Sequence, residues 1–172
     1  MLMQAKHIEI RHAAWMVVAF EACGLHGALI GGRLTDRWLG GRAARMCLIY
    51  MMLAGISVLV FWKVPVKSEL LTTAMLSAVG FFIYGPQCLL AVTAANLATK
   101  RAAGTAVGLT SIFGYASTVL SGWGLGKLVQ EHEKLVPNHG WDAAFWVLIV
   151  AAIIGTLLFA AAWPAKAHGY AD

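Results

Sequence analysis

A single acidic side chain lies well inside an apolar stretch near the start of the chain. Glu21 is surrounded mainly by apolar residues, and neither Lys nor Arg occupies a comparable position inside an apolar block. A lone carboxylate at membrane depth is costly unless it is protonated, paired or in contact with water, so it is a functional candidate. Glu21 is therefore predicted to be a binding residue, and the alternative is a structural hydrogen bond to a neighbouring helix.

A proline-containing motif supplies two further candidates. Tyr84, Gly85, Pro86 and Gln87 follow one another in the middle of another apolar block. Proline removes a backbone donor and frees a carbonyl, and interrupted helices near the membrane midplane often line a binding site. Tyr84 and Gln87 are three residues apart and share a helix face, so both can point into one cavity. A kink that serves only packing is the alternative.

Two more polar side chains lie inside apolar blocks. Tyr115 combines an apolar ring with a hydroxyl, and it suits a binding role and a packing role equally well. His26 lies five residues after Glu21, which raises the hypothesis of a proton relay. We do not favour that hypothesis, because no other ionisable group stands at a helical spacing from His26.

The sequence contains no motif of enzyme chemistry. A nucleophile elbow, zinc-ligand spacing, a phosphate-binding loop and a dinucleotide fingerprint are all absent. Cys23, Cys47 and Cys88 are far apart and lie in apolar blocks, which argues against both a disulfide framework and a zinc site. We therefore expect no enzyme activity, no cofactor and no metal ion.

The elements that carry these residues are long apolar blocks. Of the 172 residues, 60% are hydrophobic and 12% are charged, whereas about 25% are charged in a typical soluble domain. Five blocks of 17 or more residues contain at most one or two ionisable groups each, and each can cross a hydrocarbon core of about 30 Å as a helix. The sequence predicts an all-α integral membrane protein with five transmembrane helices over residues 13–32, 46–62, 70–95, 104–128 and 143–163.

The blocks also carry predictions about helix shape and packing. The third is expected to be broken at Gly85 and Pro86, and residues 130–142 form the one connection long enough for irregular structure. Small residues four apart let helix backbones approach closely in lipid. Three such glycine pairs predict a tightly packed bundle whose neighbours include helices outside this chain: Gly27 with Gly31, Gly104 with Gly108, and Gly122 with Gly126.

The distribution of cations predicts the orientation. Four arginines, Arg33, Arg37, Arg42 and Arg45, are concentrated between the first two blocks, and Lys and Arg are enriched in cytoplasmic loops. We expect a multi-pass protein of the inner (plasma) membrane with its N-terminus outside and its C-terminus cytoplasmic. The net charge of +5 is modest and lies mainly in loops, so the lipid bilayer is the expected partner and nucleic acid is not.

Several segments resemble a known family. GRLTDR at residues 32–37, followed by Gly41 and Arg42, resembles the loop signature of the major facilitator superfamily. GFFIYGPQCLL at 80–90 and KRAAGTAVGLTSIFGYAS at 100–117 resemble the tenth and eleventh helices of the organophosphate:inorganic phosphate antiporters, which include carriers of glycerol 3-phosphate, hexose phosphate and phosphoglycerate. HGWDAAF at 139–145 is similar to the start of their last helix. The resemblance covers essentially the whole chain and implies part of the C-terminal half of that fold, helices 8 to 12.

The resemblance implies roles for single residues in substrate binding. Tyr84 and Tyr115 would line the central substrate cavity, and Glu21 would lie near it on the eighth helix. In the family, arginines of the first and seventh helices hold most of the phosphate, and this chain begins after both. His26 also stands where these carriers tend to have proline, which puts the local shape of that helix in question.

The resemblance also implies a conformational switch. Gly32, Asp36, Arg37 and Arg42 would belong to the cytoplasmic loop that helps to latch the alternate states of the transporter.

The implied function is exchange of a phosphorylated metabolite for inorganic phosphate by alternating access. The partners would be the organophosphate, inorganic phosphate and the missing N-terminal helices of the same fold. Five helices of one half cannot enclose a cavity, so the chain alone is not expected to transport. A membrane sensor of sugar phosphate, which the same family contains, and an inactive truncated remnant are the alternatives.

Overall fold

Five α-helices make up the computed structural model, which describes residues 9–64, 68–99, 101–137 and 139–164 and has no strand among them. Every helix is long and apolar enough to cross a membrane. The predicted fold class, an all-α membrane protein with five spans, is therefore confirmed. In chain order the helices are α1 (Ile10–Trp38), α2 (Ala43–Lys63), α3 (Glu69–Leu97), α4 (Ala103–Leu135) and α5 (Gly140–Ala161).

Two helices continue past the ends of their predicted spans. α1 runs on to Trp38, and the chain turns only at Gly40 and Gly41, whose φ values of 57° and 75° favour glycine. α4 runs on to Leu135, so most of the irregular connection predicted from residue 130 is helical. The predicted ends marked the fall in hydropathy, and a helix does not have to end where it leaves the hydrocarbon.

The break predicted in the third helix does not occur. α3 is continuous from Glu69 to Leu97 with Pro86 inside it. Proline costs the helix one backbone hydrogen bond, but Gly85 and Pro86 are both buried. Packing against the neighbouring helices supports the α-helical path on both sides of the proline.

The bundle is organised around α3, which packs most extensively along α1 and also contacts α2 and α4. α2 packs along α5 on the other side, and α4 contacts α5. The main apolar core consists of Met46, Cys47, Tyr50 and Leu89, with partly buried side chains around it. α4 differs from the other helices because none of its residues is fully buried within the described part of the chain.

The glycine pairs have two different environments. Gly27 lies against the backbone of Phe81, where an added Cβ would overlap the carbonyl oxygen, and a Cβ at Gly31 would lie 2.9 Å from the Tyr50 ring. This first pair packs helices together as predicted. The two pairs on α4, Gly104 with Gly108 and Gly122 with Gly126, have no other atom of the described chain within 4 Å of an added Cβ. Those pairs do not pack helices inside this chain.

Polar contacts join helix ends at the end of the bundle opposite the α1–α2 turn. Trp62 Nε1 donates a 2.7 Å hydrogen bond to Asp142 Oδ1, which connects the end of α2 to the start of α5. His12 Nδ1 lies 2.9 Å from Glu69 Oε2 and connects the first turns of α1 and α3. These contacts fix the helix ends at positions where the chain meets water.

Candidate functional site

A hydrogen bond joins the two leading candidates. The Tyr84 hydroxyl on α3 donates to Glu21 Oε2 on α1. Gly24, one turn after Glu21, leaves room for the tyrosine, because an added Cβ would lie 2.7 Å from Tyr84 Cδ2. The Phe20 ring packs edge-on against the Tyr84 ring with centroids 6.1 Å apart. The close contact between α1 and α3 therefore positions the pair.

The Tyr84–Glu21 pair offers one hydrogen-bond donor and one acceptor, which suit different groups of a ligand. No lysine or arginine of the described chain forms a salt bridge with Glu21, so the tyrosine hydroxyl is its partner. A carboxylate accepts hydrogen bonds and repels a phosphate, whereas a tyrosine hydroxyl donates to one. In a phosphate-ester site, Tyr84 thus suits the phosphate, and Glu21 suits a hydroxyl or a cation.

The other two binding candidates do not join this pair. Gln87 lies one turn further along α3 and is exposed. Tyr115 lies on α4 with 76% of its surface exposed. Neither side chain has a hydrogen bond to another described residue. Both are open to contact with groups outside the chain.

The His26 ring has a polar partner on its own helix. His26 Nδ1 lies 2.8 Å from the carbonyl oxygen of Ala22, one turn earlier on α1. The structure thus gives no contact between His26 and Glu21 and does not support a proton relay. Within the described ranges, no three His, Cys, Asp or Glu side chains form a group that could hold a metal ion.

The residues predicted to form the switch loop lie mostly in a helix. Gly32, Asp36 and Arg37 belong to the last turns of α1, and Arg42 alone is in the connection, immediately before α2. The prediction that all four lie in a loop is wrong. The Thr35 hydroxyl bonds to the carbonyl of Gly31 at 2.7 Å, so the helix accommodates this polar sequence without unwinding.

Sequence reasoning missed Tyr50, which holds three helices together. It is only 3% exposed, and its hydroxyl donates a 3.1 Å hydrogen bond from α2 to the carbonyl of Gly27 on α1. Its ring occupies the space above Gly31 and Gly85, so it also touches α3. A tyrosine inside an apolar block needs a partner for its hydroxyl, and that requirement was the available signal. Tyr50 fixes α1 relative to α3 and hence Glu21 relative to Tyr84.

The chain is similar in sequence to bacterial transporters of phosphorylated compounds. It is 32% identical over 162 residues to a glycerol-3-phosphate transporter of Bacillus subtilis, a match that covers 94% of this chain and 35% of the relative. It is 33% identical over 166 residues to a probable hexose phosphate transport protein of Chlamydia muridarum, covering 96% and 35% of the two.

A third relative is a sensor and not a transporter. The chain is 34% identical over 151 residues to the membrane sensor protein UhpC of Salmonella typhimurium, with 88% of this chain and 33% of the relative covered. No family model and no solved structure matches the chain.

These relatives define the family. They are transporters and a sensor, so the prediction that the chain is not an enzyme is confirmed. The chain spans about a third of the length of the curated relatives it matches. It belongs to the organophosphate:inorganic phosphate antiporter family of the major facilitator superfamily, as its helix motifs predicted.

Proposed function

We propose that the chain forms part of the substrate pathway of a transporter that exchanges a phosphorylated metabolite for inorganic phosphate by alternating access. The observation that carries this proposal is the Tyr84–Glu21 hydrogen bond between two membrane-spanning helices. The names of the relatives supply the substrate class. Further helices of the same fold must complete the cavity, because alternating access needs two halves that move relative to each other.

The pair provides a means of coupling binding to movement. An arriving phosphate accepts the hydrogen bond of the Tyr84 hydroxyl and thereby displaces Glu21. Glu21 then takes a hydroxyl of the metabolite or a cation from the remaining helices as its partner. Since Glu21 and Tyr84 lie on different helices, this exchange of partners favours a different arrangement of α1 and α3. Gln87 and Tyr115 supply additional polar groups to the same substrate.

The turn between α1 and α2 is proposed to act in the conformational switch. Asp36 and Arg37 are exposed at the end of α1, and Gly40 and Gly41 reverse the chain before Arg42. These charged side chains are available for ion pairs with the rest of the fold. Such pairs, made in one state and broken in the other, would stabilise one state over the other.

Arginines at the same turn support the proposed orientation in the membrane. Arg33, Arg37, Arg42 and Arg45 all lie at this end of α1 and α2, which favours the cytoplasmic side of the inner membrane. Four further spans, α2 to α5, follow this turn, so the C-terminus is then cytoplasmic too. Green fluorescent protein fused to the C-terminus should fluoresce, and alkaline phosphatase fused there should be inactive. The reverse pattern would contradict this orientation.

A sugar-phosphate sensor is the second candidate function. The similarity to the membrane sensor protein UhpC favours it specifically. The site would bind the same class of ligand, and the bound state would be passed to a signalling partner instead of driving net exchange.

Exchange of labelled phosphate in proteoliposomes tests the proposal. The chain is co-expressed with the portion of a glycerol-3-phosphate transporter that it does not match, and the complex is purified. We expect exchange from the complex, none from the chain alone, and loss of exchange in Tyr84→Phe. Trp146→Phe, on the exposed side of α5, is the matched aromatic control. An assembled complex that binds sugar phosphate without exchange would favour the sensor, and one that neither binds nor exchanges would favour the inactive remnant.

A further inference from the structure

An apolar groove runs along the outside of the bundle between α2 and α5. Its volume is about 260 Å³, and its walls include Met52 and Leu59 on α2 and Ile149 and Ile153 on α5. No charged residue lines it, and none of its lining residues belongs to the Tyr84–Glu21 site. The groove is therefore separate from the proposed substrate site.

Beyond one end of this groove lies a cation, Arg45, that has no counter-ion among the described residues. Arg45 lies on α2 seven residues before Met52, which lines the groove, and Trp163 lies in the turn that follows α5. A spacing of seven keeps residues on nearly the same helix face. The Arg45 guanidinium carbon lies 4.7 Å from the centroid of the Trp163 ring. Arg45 Nε is buried without a hydrogen-bond partner, and no described carboxylate forms a salt bridge with this side chain.

Aromatic rings lie beyond the other end of the groove, one helical turn past Leu59 and Ile149. Trp62 and Trp146 pack edge-on with centroids 5.4 Å apart, and tryptophan is enriched where membrane spans meet the interface. Asp142 accepts a hydrogen bond from Trp62 here, which places a carboxylate at this end. From Arg45 to Trp62 the helix rises about 26 Å, close to the thickness of about 30 Å of a hydrocarbon core. The lined part of the groove, from Met51 to Leu59, covers about 12 Å of this rise. Lys63 lies over the Trp62 ring at the end that also holds Asp142, whereas Arg45 at the other end has no salt bridge to a described carboxylate.

We infer that this groove binds an anionic phospholipid, with the phosphate at Arg45 and one acyl chain along the α2–α5 groove. The apolar walls match an acyl chain, and the guanidinium held against Trp163 can donate to phosphate oxygens. Basic pockets between transmembrane helices bind anionic head groups. The unpaired charge of Arg45 selects an anionic lipid over a zwitterionic one. The inference is independent of the proposed transport function.

Native mass spectrometry of the full chain tests the inference. The chain in detergent is titrated with phosphatidylglycerol and, separately, with phosphatidylcholine, and the bound fractions are compared. Arg45→Gln should reduce the preference for phosphatidylglycerol about fivefold, the effect of one basic residue near a membrane surface. Arg33→Gln, which removes an exposed arginine at the same end of the bundle, should leave the preference unchanged.

A second pair of variants tests the position of the acyl chain and leaves the charge of Arg45 unchanged. Ile153 and Ile154 are neighbours on α5 and are 54% and 52% exposed, but only Ile153 lines the groove. Ile153→Trp should fill the groove and reduce binding of both lipids, whereas Ile154→Trp should not.

Three results would overturn the inference. Equal losses in Arg45→Gln and Arg33→Gln would show a general surface-charge effect. Equal effects of the two tryptophan variants would show that the groove is not the site. A dimer in the spectra that Ile153→Trp abolishes would assign the groove to a second copy of the chain.

Discussion

At the scale of single residues, the intramembrane carboxylate is stabilised by a hydroxyl. Glu21 lies on α1 where no cation of the described chain reaches it, and the Tyr84 hydroxyl takes that place. The arrangement depends on Gly24, whose missing side chain admits the tyrosine ring, and on Tyr50, which holds α1 at the required distance. The hydrogen bond between Glu21 and Tyr84 thus depends on Gly24 and Tyr50. These two residues set the distance between the helices and take no part in the bond itself.

Removing the Tyr84 hydroxyl should destabilise the chain. Tyr84→Phe keeps the ring but removes the hydrogen bond to Glu21, an exposed carboxylate, which should lower the free energy of unfolding by about 0.5–1.5 kcal/mol, the net value of one hydrogen bond. Thermal unfolding in detergent measures this. Tyr115→Phe removes an exposed hydroxyl without a hydrogen bond and should have little effect. Glu21→Leu added to Tyr84→Phe should recover stability, since it removes the unpaired carboxylate, and a further loss instead would contradict the assigned pairing.

The Tyr50 ring should make Gly85 intolerant of a side chain. A Cβ at Gly85 would overlap this ring, so Gly85→Ala should cost about 1–3 kcal/mol in unfolding free energy from overpacking. Gly108→Ala is the control, because open space surrounds Gly108 and alanine is a better helix former. Chemical denaturation of both variants in mixed micelles makes the comparison. Similar losses in the two would mean that helix flexibility, and not the Tyr50 contact, explains the effect.

At the scale of the elements, α2 and α5 are held together at both ends by tryptophan. Trp62 stacks on Phe145 with centroids 5.7 Å apart and donates to Asp142. At the opposite end Trp163 lies against Arg45. The two helices therefore form a paired unit with close packing between their ends.

Loss of the Trp62 hydrogen bond should loosen the first turn of α5. Trp62→Phe keeps an aromatic ring against Phe145 but removes the donor to Asp142, a bond to a charged group worth about 1.5–3 kcal/mol. Amide hydrogen exchange over residues 140–146 should become faster. Trp146→Phe changes an exposed tryptophan of the same cluster and should leave that exchange nearly as in the parent chain. Unchanged exchange in Trp62→Phe would show that the other contacts of this turn hold it, namely the stacking on Phe145 and the hydrogen bonds of Asp142 with His139 and of Gly140 with Glu133.

At the scale of the whole molecule, one helix, α4, is only partly covered by its neighbours among the described residues. α4 contacts α3 and α5 on one side, and yet none of its described residues is fully buried. Its two glycine pairs face open space, although such pairs normally allow close helix contact in membranes. We propose that further helices of the fold pack on this open face of α4.

Association with those helices should protect α4 selectively. In the chain alone, amide exchange along α4 should be faster than along α3, because α4 has less packing to oppose local opening. Co-expression with the remaining portion of a related transporter should slow exchange in α4 by at least about tenfold while changing α3 little, since a gain of about 1.4 kcal/mol suffices for that factor. Mass spectrometry of peptides from each helix provides the measurement. Equal protection of the two helices in the chain alone would contradict an open α4 face.

The sequence by itself determined the membrane class, the number of spans and the family. Length and hydropathy of a block are local properties, and a helix must satisfy its own backbone in lipid, so the spans follow without knowledge of their neighbours. The motifs around Tyr84 and Tyr115 likewise identified the family before any contact was known. The apolar sequence around Glu21 also identified this carboxylate as unusual.

The tertiary structure alone decided which groups meet. That Glu21 pairs with Tyr84, that Tyr50 lies between Gly31 and Gly85, and that Arg45 lies against Trp163 all depend on which helix faces touch. It also corrected the predicted break at Pro86 and the predicted loop at Asp36, because packing and side-chain hydrogen bonds keep both segments helical. Hydropathy gives the depth of a residue in the membrane, but contacts between helices depend on rotation and separation, which only the packed bundle specifies.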